Sequence, residues 1–188
     1  MNKVVALAAT CALFAAPALA QNKQSPMPPT AGNAPNPSAN VGAAPASAMA
    51  TDEFVKKVAI SDMFEIESSK LADKQKADAD SKAFAKKMIT DHGKTTRELK
   101  SMVQGGKVKA ELPTALDDEH KGKLDKLKSL SGKDFDSTYD QMQKQGHQDA
   151  VALFEQYAQS GDNAELKRWA SKTLPHLKQH LSMAEKLK

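Results

Sequence analysis

Four residues carry side chains that could bind a metal ion and stand where apolar ones would be expected. Ser81, Ala85, Met88, His92, Thr95, Leu99 and Met102 are spaced alternately by four and three, the spacing of one helix face turned toward a partner, and His92 sits in the middle of it. Leu166, Ala170, Thr173, Leu177, His180, Ala184 and Leu187 repeat the pattern around His180. His147 shares a face with Ala150, Val151, Phe154 and Ala158, and Glu65 lies on the stripe of Phe54, Val58 and Ala72. One carboxylate and three imidazoles suit a single zinc, copper or iron ion, since imidazole serves all three.

Other chemistries find less support. A ferritin-type di-iron centre uses Glu-x-x-His on two helices, but Ile89, Lys144, Thr173 and Leu177 precede His92, His147, His176 and His180 by three. There is no serine–histidine–acid constellation on a nucleophile turn and no phosphate-cradling glycine loop. Met88 four before His92, and Met183 three after His180, would add a thioether for cuprous copper, although methionine is also a common filler of helical cores. His120, within Asp117-Asp118-Glu119-His120, reads as a solvated residue.

The elements that must position these residues follow from periodicity and punctuation. Helical pattern runs from Thr51, a candidate cap, to about Gln75, then from Asp80 to Gln104 before Gly105-Gly106. A third helix spans about Asp134 to Ser160, and a fourth opens at Asp162 with Glu165 as a capping box and runs to about Leu187. The first and last pairs are joined by a few residues each, which makes antiparallel hairpins. Between the hairpins lies a long connection with a short helix from Leu116 to Leu130. The expected fold is an all-α, ferritin-like four-helix bundle with a long crossover carrying that short helix. Phe54, Phe64, Phe84, Phe135, Phe154 and Trp169 are its expected aromatic core, and Pro175 is expected to kink the last helix.

Height along the bundle separates the candidates. At ~1.5 Å per residue from the short turns, Glu65 stands about 18 Å up, His92 about 22 Å and His147 about 21 Å. His180 stands about 28 Å up; His176, at about 22 Å, fits the level but leaves the apolar seam. His176 is therefore kept as the alternative fourth ligand. A metal-free polar layer, with Glu65 hydrogen-bonded to His92 and Asp91 orienting that ring, is the competing reading.

Residues 1–20 read as a signal peptide, with basic Lys3, an apolar run from Val4 to Ala16, and Ala18-Leu19-Ala20 in small-x-small form. Thr10 just ahead of Cys11 argues against a lipidation site. Cys11 is the single cysteine, so a mature chain beginning at Gln21 forms no disulfide and depends on its core. Residues 21–50 hold six of the nine prolines and little apolar bulk, and read as a disordered spacer ahead of a 51–188 bundle domain. No later stretch approaches the ~20 apolar residues of a membrane span, which places the mature protein in the periplasm or outside the cell. The net charge is +4, with lysines and acids interspersed and no basic block to track phosphates. Nucleic acid is excluded as a partner on that ground; an envelope surface or a protein remains.

Asp52-x-Phe54-Val55, Glu65 with Leu71-Ala72, Phe84-Ala85-x-x-Met88-Ile89-x-Asp91-His92, Phe135-Asp136-x-x-Tyr139, His147 with Leu153-Phe154, and Leu174-Pro175 before His180-Leu181 stand in an order that resembles the exported ferritin-like domain-of-unknown-function family 4142. The resemblance spans about Thr51 to Leu187 and implies a periplasmic or outer-membrane address without a settled activity. The leading reading is a non-enzymatic envelope module, for which the family's address implies a role in stress tolerance or assembly. The second reading is a mononuclear zinc, copper or iron protein, and an enzyme comes third.

Overall fold

A computed structural model describes residues 49–188; the expected signal peptide and nearly all of the expected spacer lie outside the described residues. Met49, counted with the spacer above, is buried in the core. Among the described residues the chain forms six helices and no strand: α1 (Thr51–Ser69), α2 (Leu71–Lys74), α3 (Ala79–Gln104), α4 (Asp118–Lys128), α5 (Lys133–Ser160) and α6 (Ala164–Ala184). None of these helices is long and apolar enough to cross a membrane.

Hydrogen bonds at the helix ends give the directions. Thr51 Oγ1 meets the Tyr157 hydroxyl at 2.8 Å and Ser69 Oγ meets the Tyr139 hydroxyl at 2.8 Å, so α1 and α5 run antiparallel. The Asp78 amide donates to Asp136 Oδ1 at 3.1 Å and the Ser81 hydroxyl to Asp140 Oδ1 at 3.1 Å, so α3 and α5 start side by side and run parallel. Trp169 Nε1 near the start of α6 donates to Glu98 Oε2 near the end of α3 at 2.9 Å, which makes that pair antiparallel. A parallel second and third long helix is the ferritin-like order. The crossover makes it possible: it leaves α3 at Gly106, whose φ of +73° favours glycine, and returns along the bundle through α4. There Gly132 N–H donates to the Gln75 carbonyl at 2.7 Å beside the start of α5.

Several local expectations shift. Helix α1 ends at Ser69, with α2 as a separate turn. Thr51 does not cap α1; Ala50 is the N-cap residue, without a side-chain bond, and the Thr51 hydroxyl spans to Tyr157 and Asp162 instead. At α6 the cap is Asn163, whose Oδ1 accepts from the amides of Glu165 and Leu166 at 3.0 Å, because Asp162 is engaged with Thr51 and Tyr157. Pro175, where a kink is expected, lies inside α6, which is one helix from Ala164 to Ala184 on both sides of the missing amide.

The apolar core falls into two clusters. Ile60, Phe64, Met88, Leu127 and Phe135 belong to one, and Phe54, Leu99, Phe154, Leu166 and Trp169 to the other. Buried polar side chains lie between them on all four long helices: Asp62 and Glu65 on α1, His92 on α3, Gln143 and His147 on α5, Thr173 and His180 on α6.

Candidate metal centre

Each of three helices sends one imidazole into that polar layer. The ring centroids of His92, His147 and His180 are 5.7 Å (His92–His147), 5.6 Å (His92–His180) and 5.4 Å (His147–His180) apart, and one nitrogen from each lies within 4.8 Å of the other two. All three residues are buried, at 4%, 1% and 3% exposure, so solvent does not satisfy them.

Their outer nitrogens fix how the rings face. His147 Nδ1 is 2.8 Å from the Gln143 carbonyl, which can only accept, so Nδ1 carries the proton and Nε2 presents a lone pair. His92 Nδ1 donates to Asp62 Oδ1 at 2.7 Å, and His180 Nε2 donates to Asp91 Oδ2 at 2.8 Å. The remaining nitrogens, Nε2 of His92, Nε2 of His147 and Nδ1 of His180, have no hydrogen-bond partner among the described residues. Asp62 is itself held by the hydroxyls of Thr95 (2.7 Å) and Thr96 (3.1 Å). Asp91 also accepts from Lys87 at 2.9 Å.

The electrostatics favour neutral donors on two of the three rings. Burial, with the nearby His92 charge adding to it, pushes His147 down to about 3; burial also takes His180 down to about 4, against the hydrogen bond to Asp91. For His92 burial acts the same way, but the hydrogen bond and charge of Asp62 outweigh it and hold the ring above the usual imidazole value. Burial raises Glu65 to about 6. A tetrahedral ion with metal–nitrogen bonds of ~2.0–2.1 Å needs donor atoms ~3.4 Å apart, so the three nitrogens, which lie within 4.8 Å of one another here, would draw together by up to ~1.4 Å on binding.

Of the four expected ligands and the alternate, three converge. Glu65 is buried beside them but outside the mutually close donor set, and His176, one turn before His180, is exposed at the edge of the buried stripe of α6. His180, expected one to two turns off the common level, reaches it because side chains on a helix lean toward the N-terminus. His180 on α6 leans toward the α5–α6 turn and His147 on α5 leans away from it, and the two meet. Glu65 is not the partner of His92; Asp62 is, and Asp91 orients His180 rather than His92. Asp62 had a signal: 54, 58, 62, 65, 69 and 72 form one uninterrupted helical stripe. Met88 and Met183 pack in the apolar core, and His120 is tied to Asp117 at 2.7 Å with its ring edge against Phe64.

Residues 36–187 match the family model described as Domain of unknown function (DUF4142). No curated protein matches the chain at a significant level. Among solved structures, CopM in the Cu(II)-bound form shares the fold, with 18% sequence identity, a TM-score of 0.60, and coverage of 74% of this chain and 95% of that one.

Proposed function

We infer that this chain, which belongs to the DUF4142 family, is a non-enzymatic metal-binding module of the bacterial envelope that holds one ion on His92, His147 and His180. One observation carries the reading. Three buried imidazole nitrogens face one another without a hydrogen-bond partner, while the other nitrogen of each ring is bonded outward. Buried polar atoms are rarely left unpaired, and metal-bound histidines commonly use their second nitrogen in this way. Copper is the first choice of ion, because an all-imidazole set suits it and the solved structure of similar fold, CopM, is in a Cu(II)-bound form. Zinc fits the same donors. Export rests on the leader-like residues 1–20.

A metal-free polar layer is the second reading, favoured by the buried Asp62–His92 pair, which would be stable with no ion present. Titration calorimetry with Cu(II) and Zn(II) separates the two. Metal binding predicts near one equivalent in the wild-type protein, loss in His92→Ala, and no change in His120→Ala. A polar layer predicts no specific uptake in any of them, and a stability loss of roughly 1–3 kcal/mol in His92→Ala, which leaves Asp62 without its partner.

A further inference from the structure

A groove of about 900 Å³ runs along the seam between α1 and α5 and reaches the polar layer from the side of His92, the one of the three imidazoles that lines it. Its mouth carries Lys57 and Asp149; its inner end carries Glu65, His92 and Thr95. At this end buried Glu65 takes no part in orienting the imidazoles, and its Oε2 has no hydrogen-bond partner among the described residues; the buried Gln143 side chain near the carboxylate favours its charged form against the effect of burial. Gly146 of α5 lines the groove beside this carboxylate: a Cβ there would lie 3.4 Å from Glu65 Oε1, an ordinary van der Waals contact.

Three imidazoles leave a tetrahedral or tetragonal ion short of at least one donor. We propose that the ion's remaining position faces this groove and takes a small exogenous donor from solvent, with the Glu65 carboxylate as its hydrogen-bond acceptor and not as a metal ligand. The site would then be an exchangeable-ligand centre that prefers protic donors over anions, because an anion in the same place would meet the Glu65 charge.

The inference rests on the three-histidine reading, and the test separates their failures. The wild-type chain, Glu65→Gln and Gly146→Leu are loaded with Cu(II), the copper content is measured, and azide is then added while its charge-transfer absorption is followed. All three should hold near one copper. Azide should bind the wild type saturably and bind Glu65→Gln roughly three- to tenfold more tightly, since a nearby negative charge is gone. In Gly146→Leu, whose added side chain fills the inner end of the groove, azide binding should be lost while copper stays. Copper retained with no azide band in the wild type or Glu65→Gln would overturn the open position and leave the three-histidine site standing. Copper lost from Glu65→Gln, with that variant still folded by circular dichroism, would make Glu65 a ligand and overturn the proposal in another way. A wild type that holds no copper ends both readings before azide is added.

Discussion

At the scale of single residues the three imidazoles differ in what orients them. His147 is held by a backbone carbonyl that no substitution removes, His92 by the buried carboxylate of Asp62, and His180 by Asp91, whose side chain is 32% exposed. Asp62 therefore matters most among the replaceable supports. Asp62→Asn should weaken metal binding roughly 10- to 100-fold, read by competition with a chromophoric chelator. Asp91→Asn should weaken it less, because solvent can replace part of that bond. The three histidines were legible in the sequence because each interrupts an apolar stripe. Which carboxylate serves which ring was not, since it depends on how α1 and α6 are rotated against α3. Glu65 and Asp62 share one stripe, and only the packed structure gives Asp62 to His92.

Helix positions were legible from apolar periodicity and from Gly105, Gly106 and Gly161; the N-caps of α1 and α6 were not, because Thr51 and Asp162 are drawn into a contact between helix ends that no local pattern reveals. Asn163→Ala should remove the cap of α6 and cost about 1 kcal/mol, read from urea denaturation. The paired starts of α3 and α5 hold a second testable feature. Burial, with the charges of Asp78 and Asp136, raises Asp140 to about 6, while the Ser81 hydroxyl acts against the shift. A carboxyl raised above its unfolded value near 3.9 binds its proton more tightly in the folded state, so its favourable contribution is present at low pH and is lost as pH rises through about 6. Asp140→Asn, which can still accept from Ser81, should stabilise the protein at pH 7 by about 1 kcal/mol after solvent screening, and leave stability below pH 4 unchanged. Denaturation at the two pH values checks both parts.

For the whole molecule, the arrangement that matters is a polar layer between two apolar clusters, crossed by all four long helices. The clusters set the spacing of the helices, and the parallel α3 and α5 bring His92 and His147 to one level while α6 brings His180 from the opposite direction. An ion that binds only the folded bundle should stabilise it by ~2.7 kcal/mol at a free concentration one hundred times its dissociation constant. A rise in thermal midpoint with added Cu(II), absent in His147→Ala, checks this. The central claim concerns where the ion sits, and anomalous diffraction from copper-loaded crystals tests it most directly. The account predicts a single strong copper peak ~2.0–2.1 Å from Nε2 of His92, Nε2 of His147 and Nδ1 of His180. A peak confined to His120 or His176, or no peak with the three imidazoles hydrogen-bonded to one another, would contradict it.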